Sequence, residues 1–180
     1  IFHLVNKKRF TILADSGDNP TAGGIGSRID VLEYVFKNKI ENTLFAGIYN
    51  EEIFRELKNK KNKIVIKDSI SKKKISISID KFYLKNDNAI VTSNNNTIIF
   101  TKNRKPFHYL SDFKELNINL KKYKILVVKS GYLSPELKKL KADNFMILTD
   151  GFVTQDFKRI KNLFREKPIY PFQKNFRYNI

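Results

Sequence analysis

The first third of the chain alternates short apolar runs with segments of helical periodicity, and this alternation constrains the fold more than any other feature. Residues 10–14 and 44–48 are apolar runs with the length of buried strands. After the first run, apolar side chains recur at helical spacing, and a second helical segment follows the second run. Strand–helix–strand–helix order predicts a parallel α/β layer. The inward-facing residues of the first helix would be Ile29, Leu32, Val35 and Phe36.

Polar residues mark where these helices should begin. Ser27 precedes the first helical stretch, with Asp30 three residues later as a short version of the capping box. Asn50 can cap the second helix, and Glu51 and Glu52 would lie at the positive end of its dipole. We therefore expect helix starts at Ser27 and just after Asn50.

The middle of the chain has a different pattern. Residues 75–79 alternate isoleucine with serine, which predicts a strand with one wet face, and two apolar runs flank the polar turn 94–96 as in a hairpin. The last third returns to the first pattern, with strands at 125–128 and 145–148 and a Ser134-Pro135 helix start between them. The predicted fold class is therefore α/β, a three-layer-like mixed sheet with helices packed on it and an antiparallel hairpin region in the middle.

Length and composition restrict the class of protein further. The 180 residues suit a single domain spanning 1–180. The absence of cysteine excludes a disulfide scaffold, a thiolate metal site and a cysteine nucleophile. No run of eighteen apolar residues and no signal-peptide pattern occurs, so we expect a cytoplasmic location. The chain begins with Ile1 and its only methionine is Met146, so we expect it to be part of a longer reading frame.

The net charge of +17 invites a nucleic-acid interpretation. Most of the charge comes from lysine, which occurs together with abundant asparagine and isoleucine, a composition typical of AT-rich genomes. Base and phosphate recognition favours arginine, and no nucleic-acid-binding motif is present. We do not expect a nucleic-acid partner, although a stand-alone basic module that binds anions or nucleic acid remains the alternative.

Two polar segments follow predicted strands, at the edge where open α/β sheets bind ligands. The first is the loop 15–27, in which carboxylate and amide side chains precede glycines that permit close backbone approach. The second begins at Lys129, which could hold a carboxylate or stabilise negative charge. A plain turn in the first segment and a solvated lysine in the second are the alternatives. The candidate substrate-cleft residues are Asp15, Asp18, Asn19, Gly23, Gly24, Lys129 and Ser130.

Catalytic and metal-binding residues are not evident in the sequence. Nothing supplies a base for Ser130, so a serine nucleophile is a poor interpretation. The only histidines are His3 and His108, without the spacing of a zinc site. We therefore predict no metal ligands in this chain and leave its catalytic residues unassigned.

These segments together resemble the C-terminal region of the microcystinase C (MlrC) family of zinc metallopeptidases. The similarity lies in residues 15–24, 106–108, 123–132, 148–151 and 167–172, in family order. The resemblance implies a longer parent enzyme whose N-terminal catalytic domain holds zinc, and a peptide or amide substrate such as linearised microcystin. Ser27 stands where many relatives carry an acid, which weakens any direct role for that position.

The resemblance leads to one functional hypothesis. The chain would be the C-terminal domain of a zinc-dependent metallopeptidase, lining the substrate cleft and supporting the metal site of the N-terminal domain, and inactive by itself. A non-catalytic interaction domain is a further alternative. None of these hypotheses involves binding to a membrane.

Overall fold

The computed structural model describes residues 9–59, 62–156 and 159–160. The strands within these residues are β1 (Thr11–Asp15), β2 (Thr43–Tyr49), β3 (Lys63–Lys67), β4 (Lys74–Ser78), β5 (Lys81–Lys85), β6 (Asn88–Ser93), β7 (Asn96–Thr101), β8 (Ile125–Val128) and β9 (Asp143–Ile147). The α-helices are α1 (Asp30–Lys37), α2 (Glu52–Lys58), α3 (Leu110–Glu115) and α4 (Pro135–Lys138). Short 3₁₀ turns cover Pro20–Ala22 and Leu120–Lys122.

Seven strands form one mixed sheet in the order β5-β6-β7-β2-β8-β1-β9. The five strands from β7 to β9 are parallel, and β6 and β5 extend the sheet by antiparallel pairing. The strands β3 and β4 form a separate antiparallel hairpin. The predicted α/β fold with antiparallel strands in the middle of the chain is confirmed.

The sheet has a hydrophobic core on each face, which gives the predicted three layers. Alternate residues of the buried strands point to opposite sides, so Leu13 joins one core and Ile12 the other. Helices α1 and α2 and the β3–β4 hairpin cover the first face, with Leu32, Ile53 and Ile66 fully buried. Helices α3 and α4 cover the second face, with Phe113 and Leu137. None of the described helices is long and apolar enough to span a membrane.

The predicted start of the first helix at Ser27 is wrong. Helix α1 begins at Asp30, its N-cap is Ile29, and no side chain caps it. The Ser27 hydroxyl instead shares a hydrogen bond with the Ser69 hydroxyl of the β3–β4 connection. The Arg28 amide donates to Asp18 Oδ2 rather than to Ser27, so Asp18 fixes the backbone at this point. The chain therefore stays irregular for two residues longer than the local sequence predicts, since the N-cap is Ile29 rather than Ser27.

The predicted start of α2 is one residue early, because the helix begins at Glu52 with Glu51 as its N-cap, whereas the predicted cap of α4 at Ser134 is confirmed. Asn50 Oδ1 accepts the Ile53 amide at 3.3 Å, and Ser134 Oγ accepts the Leu137 amide at 3.3 Å in front of α4. The turn between β6 and β7 has Asn94 and Asn95 at φ 48° and 58°, a conformation that asparagine tolerates well. The predicted motif at 167–172 and His3 lie outside the described residues.

Candidate functional site

The five parallel strands end at one edge of the main sheet, and the loops that follow β1, β8 and β9 meet there. The neighbouring order β8-β1-β9 places the loop after Asp15 between the loops that contain Lys129 and Thr149. The two sequence-predicted segments are therefore adjacent in space although more than a hundred residues separate them. This loop cluster is called the carboxyl edge below.

Lys129 is the centre of a buried ion network at the carboxyl edge. Its Nζ lies 2.8 Å from Asp15 Oδ2 and 3.5 Å from Asp18 Oδ2, and it donates to the Arg28 carbonyl at 2.6 Å. The exposed fractions of Lys129, Asp15 and Asp18 are 4%, 2% and 0%. The lysine therefore binds the protein's own groups rather than solvent, and it joins the ends of β1 and β8.

Asp18 organises the glycine-containing loop through the backbone. Its Oδ1 accepts the Gly26 amide at 2.9 Å and its Oδ2 accepts the Arg28 amide at 2.7 Å. These amides are buried outside regular secondary structure, so they need an acceptor. A carboxylate that accepts two amides fixes the path of the loop from Asp18 to the start of α1.

The loop after β9 is attached to the same network. The Thr149 hydroxyl donates to Asp15 Oδ1, and the Gly17 amide donates to Thr149 Oγ1 at 3.2 Å. The two backbones approach so closely that a Cβ on Gly17 would lie 2.0 Å from the Thr149 carbonyl oxygen, and one on Gly151 would lie 1.8 Å from the Gly17 carbonyl oxygen. Glycine at these two positions is therefore required by the close approach of the loops.

The remaining candidate residues shape the loop rather than face open solvent, with one exception. Asn19 Oδ1 accepts the Thr21 amide at 3.0 Å and the Thr21 hydroxyl at 2.8 Å, and the Gly24 amide donates to the Asn19 carbonyl at 2.8 Å. Gly23 is exposed at the tip, at φ 103°. The Ser130 hydroxyl donates to the Tyr132 carbonyl at 2.6 Å, and the Ser130 amide donates to the Asp15 carbonyl at 3.2 Å.

Sequence reasoning missed Arg28, which connects this network to the β3–β4 hairpin. Arg28 is 8% exposed, and its Nε and Nη2 both lie 2.7 Å from Asp30 Oδ2. Its Nε lies 4.0 Å from Asp68 Oδ2 in the hairpin turn. A signal existed, because arginine occurs only seven times in this lysine-rich chain and Arg28 follows the glycine loop directly.

The ion pairs around Arg28 are ionised at neutral pH. Burial alone would raise the pKa of Asp30, but hydrogen bonds from Lys73 and Arg28 outweigh burial and lower it. Burial likewise opposes ionisation of Asp68, but the amide and hydroxyl of Ser71 and the amide of Ile70 hold the pKa of Asp68 below its usual value. Both carboxylates therefore stay charged and keep the hairpin turn attached to Arg28.

Comparison with known proteins identifies the family. The sequence model of the family described as MlrC C-terminus matches residues 13–62 and 68–162, which contain every residue of the network described above. The chain belongs to the MlrC C-terminus family. No curated protein sequence matches the chain.

A solved structure has the same fold as this MlrC C-terminus domain. It is the crystal structure of a candidate metallopeptidase from Mesorhizobium sp. BNC1, with a TM-score of 0.66 and 13% sequence identity. The similarity covers 95% of this chain and 39% of the other. At this identity it shows the shared fold alone, and the chain corresponds to well under half of that protein.

The described residues of the MlrC C-terminus domain do not fit a metal site. No three histidine, cysteine, aspartate or glutamate side chains among them are grouped so that they could hold a metal ion. Asp15 and Asp18 are already engaged by Lys129, Thr149 and backbone amides. The space beside Asp15, Arg28 and Lys129 is about 10 Å³, roughly the volume of one water-sized probe.

Exposed side chains surround this buried network at the carboxyl edge. Tyr132, two residues after Ser130, is 73% exposed, and Phe152, next to Gly151, is 65% exposed. The tip residues 21–23 are exposed as well. The MlrC C-terminus domain therefore presents a fixed set of loops with two large aromatic side chains available for contact.

Proposed function

We propose that this chain is the C-terminal domain of a zinc-dependent peptidase, in which the carboxyl edge forms one wall of the substrate cleft. Membership of the MlrC C-terminus family supports the class of enzyme. The structural similarity to 39% of a candidate metallopeptidase supports a parent protein with a further domain. The parent would act on a peptide or amide substrate.

One observation carries the proposed cleft role. Lys129, Asp15 and Asp18 connect the loops at the edge where open α/β sheets bind ligands. Groups that position a substrate must be held within a fraction of an ångström, which requires a rigid support behind them. In the proposal, the buried network is that support, and the exposed tip 21–23 and Tyr132 contact the substrate or the neighbouring domain.

The zinc ligands are proposed to belong to the remainder of the parent protein. Within the described residues, the carboxylates nearest the edge already accept hydrogen bonds from backbone amides, a hydroxyl and a buried lysine. If these carboxylates coordinated a metal instead, Lys129 would be left buried without a counter-ion, which is strongly unfavourable. The contribution proposed for this domain is positioning.

The proposal is tested on the full-length parent protein with Tyr132→Ala. Loss of one substrate contact of about 1.4 kcal/mol would lower kcat/KM for peptide hydrolysis about tenfold without changing thermal stability. Tyr34→Ala on α1 removes another exposed tyrosine and should leave kcat/KM unchanged. Equal kcat/KM for the Tyr132→Ala and wild-type proteins would contradict the cleft role.

A second measurement tests the assignment of the metal. Zinc content is determined for the parent protein and for the 180-residue chain, together with peptidase activity. We expect stoichiometric zinc and hydrolysis only in the parent. Zinc retained by the 180-residue chain, or hydrolysis by it, would refute the assignment.

A further inference from the structure

A second cavity opens beside the carboxyl edge, between the β3–β4 hairpin turn and the connection from β2 to α2. Its volume is about 470 Å³, within the range of small-molecule sites. It is separate from the Lys129 network and touches the candidate loop only at Ser27. Its lining residues are Ser27, Tyr49, Asn50, Glu51, Glu52, Arg55, Lys67, Asp68, Ser69, Lys72 and Lys74.

The cations of this cavity exceed the acids that could neutralise them. Lys67 is paired with Glu52 at 3.2 Å, so these two charges cancel. In the part of the chain that the structure describes, the side chains of Arg55, Lys72 and Lys74 form no ion pair and no hydrogen bond. Three cations without a protein partner line one opening.

The acids of the cavity reduce its excess of positive charge but do not remove it. Asp68 is 1% exposed, accepts the amides of Ile70 and Ser71 at 2.8 and 2.9 Å, and lies near Arg28. Both amides bind its Oδ1, whereas its Oδ2 is buried without a hydrogen-bond partner among the described residues and lies 4.0 Å from Arg28 Nε. The described lining residues carry four cations (Arg55, Lys67, Lys72 and Lys74) against three acids (Glu51, Glu52 and Asp68), so the opening has an excess of about one positive charge.

The wall of the cavity is held in place by the contacts of the hairpin turn. Ser27 is 2% exposed, and its hydroxyl shares a hydrogen bond with the hydroxyl of Ser69 across the wall. The Asp68 amide donates to the Lys73 carbonyl at 2.8 Å, which closes the turn. Lys73 in turn binds Asp30 at 2.8 Å, so the turn is anchored to α1. Lys72 and Lys74, on either side of this anchor, project from a fixed backbone.

We infer that this cavity is a binding site for an anionic group, a carboxylate or a phosphate, of a small ligand. Arg55 supplies a planar fork that suits two anionic oxygens, and Lys72 and Lys74 supply mobile point charges. The serine hydroxyls and the Asn50 amide supply neutral polar contacts. The site does not depend on the peptidase proposal, because binding requires neither zinc nor the remainder of the parent protein.

The experiment measures binding of inorganic phosphate and of succinate to the full chain by isothermal titration calorimetry. An ionic strength of about 0.15 M limits nonspecific attraction to the basic surface, because the Debye length is then about 8 Å. The Arg55→Gln/Lys72→Asn variant removes two lining charges, and asparagine tolerates the positive φ of 61° at position 72. The Lys63→Gln/Lys81→Gln variant removes two exposed charges that do not line the cavity.

The inference requires that the lining variant weaken binding by about tenfold or more, because it removes two of the charges that would contact the anion. The control variant should bind as the wild type does. Tighter binding of phosphate than of succinate would indicate that the ligand carries a phosphate group, and the reverse would indicate a carboxylate. Absence of binding by both probes, or equal weakening in the two variants, would overturn the inference.

Discussion

Asp18→Ala is the sharpest test of the buried network. The carboxylate is fully buried, accepts two amides at 2.9 and 2.7 Å, and lies 3.5 Å from Lys129. Removing one partner of a buried ionic network costs about 3–5 kcal/mol. Two charged hydrogen bonds at about 1.5–3 kcal/mol each give a similar figure. We therefore expect Asp18→Ala to lower the free energy of unfolding by about 3–5 kcal/mol.

The measurement is urea unfolding followed by far-UV circular dichroism. The midpoint should fall while the slope stays constant, because the surface exposed on unfolding is nearly the same. At about 2–4 °C per kcal/mol for a domain of this size, Tm should fall by roughly 6–20 °C. Glu52→Ala serves as the control, since its pair with Lys67 is 54% and 60% exposed and should contribute less than about 1 kcal/mol.

The result that would refute this reasoning is a loss below about 1 kcal/mol for Asp18→Ala, the value of an exposed pair. Asp18→Asn refines the test. Asparagine keeps one acceptor oxygen but loses the charge and one of the two amide contacts. Its destabilisation should therefore lie between those of Glu52→Ala and Asp18→Ala.

Two further predictions concern the loops around the network. Gly17→Ala should destabilise the domain by about 1–3 kcal/mol or more in the same urea assay, because its Cβ would overlap the Thr149 carbonyl oxygen. A wild-type midpoint would show that the loops separate freely. The pKa values of Asp30 and Asp68 are lowered in the folded state, so their stabilisation is present above about pH 4 and is lost as pH falls through the folded pKa values. Between neutral and acid pH, the free energy of unfolding should therefore fall less for Asp68→Asn than for the wild type. An equal fall in the two proteins would contradict the assigned ionisation of Asp68.

The parallel strands and helices α1, α2 and α4 could be predicted because they depend on local periodicity, whereas β3 and α3 were not predicted. The runs around β1, β2 and β8 are buried on both faces, which gives continuous apolar sequence. The edge strand β5 was not predicted, because its Phe82, Tyr83 and Leu84 are consecutive and half-exposed, without alternation. Its strand conformation depends on pairing with β6, which is a tertiary contact.

The carboxyl edge was predictable only in part. The sequence indicates that Asp15 and Lys129 each follow a strand, and parallel strands place their ends on the same side. Their direct contact also requires that β8 pair with β1, and the two residues of the pair are 114 positions apart. The predicted helix start at Ser27 is wrong for a similar reason. Asp18, ten residues away in the sequence, accepts the Arg28 amide and fixes the backbone after Ser27. The rarity of arginine and the position after the glycine loop single out Arg28, but its partner Asp68 lies 40 positions away and no local pattern indicates that contact.

The buried ion network follows from burying an irregular loop at the end of a parallel sheet. The amides of Gly26 and Arg28 and the carbonyl of Arg28 cannot be paired within a helix or strand, so side chains must satisfy them. Asp18 can accept two amides, and Lys129 can donate to the Arg28 carbonyl and to Asp15 while it forms an ion pair with Asp18. Apolar side chains of similar size would leave these backbone groups unpaired, so the usual gain from replacing a buried ion pair is not available here. The loop can therefore leave its conformation only by breaking several buried polar contacts together, and the proposed cleft wall would require this rigidity.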